Sequence, residues 1–248
     1  VTRKAFRTIY RAIVMFPITT LYRPNVVKAV GNHVNLSNSN SLPKPLKHLE
    51  NSDKYEKVFT VGWLFSYVEG LEKYRMQVAE TFQPKKEIKE KVDKAVSELR
   101  KKYEFLIGLH LRQWEPGDGR PIHDEILVFG EDLSFITGLV KDFLEIRNID
   151  ASKTAIVICA NDLIDTKPFF PLNVVCGKRN LVEDLFLLAS MDIIFGCMST
   201  FSLYAAYLGN IPFVFLYKSR QKWLEEIIKG DHHWLKSATL VMPPFQNI

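Results

Sequence analysis

Phe105-Leu-Ile-Gly-Leu-His-Leu111 is an apolar run that carries an imidazole next to its end and is followed at once by the guanidinium of Arg112. A strand buried on both faces is written this way, without the polar alternation of a half-wetted sheet. Four more runs of the same kind follow it: Ala155-Ile-Val-Ile-Cys-Ala160, Asn173-Val-Val-Cys176, Ile193-Ile-Phe195 and Ile211-Pro-Phe-Val-Phe-Leu216. Between them the periodicity changes. Residues 131–147 carry Leu133, Ile136, Val140, Phe143 and Ile146 three and four apart, and residues 181–191 and 200–208 are apolar nearly all round. Those are helical patterns. Strands alternating with helices predict an α/β domain, a Rossmann-like parallel sheet covered by helices.

Toward the amino terminus the pattern loosens. Residues 32–45 are rich in Asn, Ser and Pro, as a loop should be. Residues 84–103 form one clear helix, with Ile88, Val92, Val96 and Leu99 as an apolar stripe among Lys and Glu. We therefore expect two parts, residues 1–100 and residues 101–248, with the helix linking or packing them.

A chain of 248 residues, 47% hydrophobic and 25% charged, can bury one substantial core or two modest ones. Its formal charge of +5 suits an anionic partner without saying which: nucleic acid, membrane surface and nucleotide phosphate all fit. Cys159, Cys176 and Cys197 each sit in or beside an apolar run, never as a Cys-x-x-Cys pair, and read as buried thiols of a reduced protein. No apolar stretch reaches the length of a bilayer span, because Arg7 and Arg11 interrupt the amino-terminal candidate. Residues 5–22 fit a basic interfacial helix in peripheral contact with a membrane, or a buried helix with exposed arginines, which is the blander reading. The chain opens on Val1 with no signal-peptide pattern, so we expect a piece of a longer, multidomain chain.

In a doubly wound sheet, ligands bind at the carboxyl ends of the strands, so polar residues just past those ends are examined first. His110 and Arg112 alternate with Leu109 and Leu111 and therefore share one face. An arginine fork suits a diphosphate, and a histidine can contact a base or ribose; a surface ion pair beside a structural histidine fits equally well. Asp184 lies on an otherwise apolar helix, where a carboxylate must find donors. Ser199 and Thr200 fall where a strand turns into a helix, a natural anion site and an equally natural helix cap.

His110-Leu-Arg112 at a strand end resembles the His-x-Arg-Arg motif of the fucosyltransferase superfamily, which includes alpha-1,2, core alpha-1,6 and rhizobial nodulation enzymes. The segment from Asp184 through Asp192 to Ser199, Thr200 and Phe201 resembles the later motif of that family, with matching spacing. Weaker likenesses are Gly62-Trp-Leu-Phe-Ser-Tyr67 with Glu72-Lys-Tyr74, and Ile158-Cys-Ala-Asn-Asp162, which is similar to a strand ending in Ser-Asp-Asp. The likeness covers about residues 60 to 217. It implies a GT-B-like fold whose acceptor-side part, residues 1–100, is reduced and mostly helical, and whose GDP-sugar-binding domain is residues 101–248. It implies Arg112 as diphosphate clamp, His110 and Asp184 as guanine contacts, Ser199 and Thr200 as phosphate contacts, and Asp162 and Phe201 among the binding residues.

The implied reaction is inverting transfer of a deoxysugar, L-fucose first, from GDP to a hydroxyl of a glycan acceptor, with no obligatory metal and no cofactor beyond the GDP-sugar donor. Transfer of another GDP-sugar such as rhamnose, and a non-catalytic nucleotide-binding domain, are the alternatives. Two departures stand out. Gln113 occupies the place of the second arginine, and the following family aspartate corresponds either to Glu115 or to Asp118, the two candidate catalytic carboxylates. Phe169, Phe170, Phe213 and Phe215 fall in apolar runs and read as core, so no nucleic-acid partner is expected. The expected location is the cytoplasm or the cytoplasmic face of a membrane, or the Golgi lumen for an excised eukaryotic domain.

Overall fold

The computed structural model describes residues 30–31, 60–61, 72–113, 125–128, 130, 132–176 and 180–234. The expectations for residues 5–22, 32–45, 62–67 and 114–119, with Glu115 and Asp118, lie outside the described residues. The chain divides into two compact units, Val1–Tyr67 with Met242–Ile248, and Val68–Val241. In the first, β1 (Val30–Gly31) and β2 (Thr60–Val61) pair in parallel.

The second unit opens with α1 (Arg75–Thr81) and α2 (Lys86–Arg100), then runs through β3 (Phe105–Leu111), α3 (Leu133–Ile146), β4 (Thr154–Ala160) and β5 (Asn173–Cys176). It continues as α4 (Leu181–Leu188), β6 (Ile193–Gly196), α5 (Thr200–Gly209), β7 (Phe213–Phe215) and α6 (Arg220–Lys229). Both opening helices belong to this unit: α1 packs on α5, and α2 packs on β3 and α4 through the stripe that includes the buried Val92.

The five strands β3 to β7 form one all-parallel sheet in the order β5-β4-β3-β6-β7. From β3 the chain steps outward to β4 and β5, then crosses back to β6 and β7, so strand order reverses between β3 and β6. All five carboxyl ends lie along one edge, and the reversal opens a crevice there. Both faces are covered. Phe143 of α3 packs against Phe105 and Phe195, and Phe195 also meets Trp223 of α6 edge-on. On the opposite face α2, α4 and α5 pack in sequence.

Specific polar ties fix the layers. Trp223 Nε1 donates to the Leu139 carbonyl at 2.9 Å, and Arg220 grips the buried Asp142 with two hydrogen bonds, holding α6 to α3. At the amino edge of the sheet Arg100 makes a bidentate pair with Asp192, whose carboxylate also accepts the Leu106 amide at 2.7 Å. Asp192, inside the segment carrying the family likeness, thus ties α2 to the sheet at the edge opposite the strand carboxyl ends.

Two sequence expectations are corrected. Cys159 and Cys197 are buried thiols, but Cys176 is exposed, because it ends the edge strand β5. Phe169, Phe213 and Phe215 are core, whereas Phe170 is 82% exposed, in the turn between a 3-10 segment (Lys167–Phe169) and β5.

Candidate functional site

At the carboxyl edge, a cavity of about 330 Å³ is lined by His110, Arg112, Cys159, Ala160, Asn161, Leu181, Asp184, Ser199 and Phe201. It lies at the reversal of strand order, with residues from β3 and its end, from β4 and its end, and from the starts of α4 and α5. The sequence-proposed His110, Arg112, Asp184, Ser199 and Phe201 are brought together here; Asp162 and Thr200 do not line it. Asp162 turns back on the chain, its Oδ1 accepting the Leu163 amide at 2.8 Å, and its neighbour Asn161 lines the cavity instead. Thr200 is the exposed first residue of α5.

α5 approaches this edge closely because β6 ends on Gly196. A Cβ there would meet Ser202 Oγ at 2.7 Å and the Phe213 ring at 3.1 Å. Ser202 is fully buried and donates to the Ser199 carbonyl, while the Ser199 hydroxyl caps the helix by accepting the Phe201 amide at 3.2 Å. The positive end of the α5 dipole, with first-turn amides free of intrahelical partners, therefore sits at the cavity. α4 begins differently. Asn180 and Glu183 form a capping box that satisfies its amino end internally, and Glu183 also pairs with Lys91 at 3.2 Å.

His110 is 8% exposed, its ring 5.1 Å from that of Phe201, and its Nδ1 is buried without a hydrogen-bond partner among the described residues. Burial, aided by the Arg112 charge, pushes its pKa down to about 4. At neutral pH it is an uncharged imidazole, able to accept at one nitrogen and donate at the other. Cys197, fully buried next to the end of β6, has its thiol pushed up to about 12 by burial and stays protonated. The lining of the cavity thus carries both signs of charge. Arg112 and the start of α5 supply positive charge, while Asp184, beside the apolar Leu181, Cys159 and Ala160, supplies a negative acceptor.

A strap that the sequence did not announce borders this edge. The Leu127 amide donates to Leu216 at 2.8 Å, Leu127 accepts from Met198 at 2.7 Å, and Glu125 accepts from Lys218 at 2.8 Å. Ile126 bridges antiparallel to Tyr217, and the Gly130 amide donates to the Arg112 carbonyl at 2.9 Å. The apolar Ile126-Leu-Val128 was the available signal, too short to read as an element. Nothing in the local sequence distinguishes Asn161 from Asp162.

No family model and no curated protein matches the chain. Among solved structures it is similar to POFUT1 in complex with GDP-fucose, at 14% identity over 69% of this chain and 56% of that one, with a TM-score of 0.44. It is similar also to NodZ alpha-1,6-fucosyltransferase soaked with GDP-fucose, at 16% identity over 68% and 57%, with a TM-score of 0.44. A third is fucosyltransferase NodZ from Bradyrhizobium, at 15% identity over 59% and 61%, with a TM-score of 0.35. The chain spans less than two thirds of the length of each.

Proposed function

We propose that the cavity binds the GDP moiety of a nucleotide sugar and that the protein transfers the sugar, L-fucose first among candidates, to a hydroxyl of a glycan. One observation carries this reading: residues from four separate segments, His110 to Phe201, converge on one crevice whose lining holds both a guanidinium that suits an anion and a carboxylate that suits hydrogen-bond donors. A nucleoside diphosphate has that polarity. Guanine is the base whose N1–H and 2-amino group present two parallel donors to one carboxylate, which fits Asp184. His110 completes the base or ribose contacts, and the motif likeness of His110-Leu-Arg112 supplies the sugar-transfer chemistry.

In this scheme the acceptor oxygen bonds to the anomeric carbon on the face opposite the diphosphate. The bond from that carbon to the β-phosphate oxygen breaks, and its electron pair leaves with GDP, inverting the centre. Arg112 and the α5 amides stabilise the charge that develops on the diphosphate, a role a divalent ion holds in other transferases. The hydroxyl proton passes to a carboxylate, for which Glu115 and Asp118, which follow Arg112 in the chain, are the candidates.

The guanine assignment is tested by Asp184→Asn. An amide there loses the charge-assisted acceptor, so GDP affinity falls about tenfold to a hundredfold. Xanthosine diphosphate, which presents an acceptor where guanine has its amino group, binds better than to the wild type. Unchanged GDP affinity in the variant, measured by calorimetry, contradicts the reading.

A further inference from the structure

The structure assigns Asn161 as the positioning residue for Arg112, acting through the backbone of Gln113; the inference rests on the nucleotide reading above. β4 ends at Ala160, and in register Leu111 pairs with Ala160, so the ladder stops one residue short of Arg112. Beyond that point the Asn161 side chain takes over the role of the missing strand. Its Oδ1 accepts the Gln113 amide at 2.6 Å, and its Nδ2 donates to the Gln113 carbonyl at 3.4 Å.

The other side of the same segment is held as well. The Gly130 amide donates to the Arg112 carbonyl at 2.9 Å, and Gln113 Nε2 donates to the Gly130 carbonyl at 3.1 Å. Arg112 thus stands on a backbone that has left the sheet, gripped from the β4 side by Asn161 and from the strap side by Gly130. A guanidinium on a long stem orders on an anion at lower cost when its backbone is fixed beforehand. Gln113 also gains a reason for being here. Where a second arginine stands in the motif this segment resembles, an amide side chain bonds the Gly130 carbonyl and leaves Arg112 as the cation of the pair.

The test is a double-mutant cycle on GDP affinity. Asn161→Ala alone is expected to weaken GDP binding about tenfold, the scale of one to two lost hydrogen bonds. In an Arg112→Lys background, where the planar fork is gone and orientation no longer matters, the same substitution has little further effect. Amide hydrogen exchange at Gln113 should quicken in Asn161→Ala with the β3 and β4 amides still protected, which separates loss of the clasp from unfolding. Equal weakening in both backgrounds would mean that Asn161 touches the nucleotide directly, and an unchanged affinity in the wild-type background would mean that it does nothing for Arg112. Either result overturns the assignment while the nucleotide reading stands. A wild-type chain that fails to bind GDP overturns both.

Discussion

His110 carries a cost that the fold retains. A histidine whose folded pKa lies near 4, against 6.5 in a free chain, binds its proton more readily when the protein is unfolded. Stability from this group is fully present above pH 6.5 and is lost progressively as the pH falls toward 4, by on the order of 3 kcal/mol. His110→Leu removes the titration. Across that window the variant's melting temperature should fall less steeply than the wild type's when both are scanned in parallel; identical slopes contradict the burial-driven shift. Arg112 was legible at this scale, because a charged residue past an apolar strand is conspicuous. Asn161 was not, since a hydrogen bond to a backbone 48 positions away leaves no trace in spacing.

Among the elements, β3, β4 and β6 were readable nearly to the residue because they are buried along almost their whole length and so are continuous in sequence. β3 spans Phe105–Leu111 as its run requires, the partly exposed edge strand β5 also matches its run Asn173–Cys176, and β7 keeps only Phe213–Phe215 of the run over residues 211–216. Helices were found but not their ends. α2 is shorter than the 84–103 pattern because its terminal turns are polar, and α4 stops at Leu188 although the apolar pattern runs on to Met191, which is buried in the turn that leads to β6. α6 was missed although its Ser219 cap and left-handed Gly230 bound it clearly, since its buried side is little more than Trp223 and Ile227. The pair between Arg100 and Asp192 shows how a motif-like residue can serve an element contact. Asp192→Ala leaves the Arg100 fork and the Leu106 amide without their acceptor and should cost about 1 to 3 kcal/mol in denaturant unfolding. GDP affinity should hold, since Asp192 lies at the amino edge of the sheet. A loss of binding without a loss of stability would place Asp192 in the site instead.

For the molecule as a whole, the order β5-β4-β3-β6-β7 does what no single motif can: it fixes where a ligand belongs before any residue is assigned a role. The parallel α/β class was readable from alternating runs, whereas the strand order was not, because crossover direction depends on which helix face meets which sheet face. The site is legible in proportion to how local it is. Asp184 and Ser199 fall in one continuous segment, while their meeting with His110 and Arg112 depends on β6 pairing with β3. Whether this crevice holds a guanine nucleotide is read out by thermal-shift measurement with GDP, UDP, ADP and single-stranded RNA. At a GDP concentration about a hundredfold above Kd, stabilisation of about 2.7 kcal/mol raises the melting temperature by roughly 5 to 10 °C. That shift is expected for GDP, a much smaller one for UDP and ADP, none for RNA, and its loss in Arg112→Ala; equal shifts with all three nucleotides, or none with GDP, would contradict a guanine site.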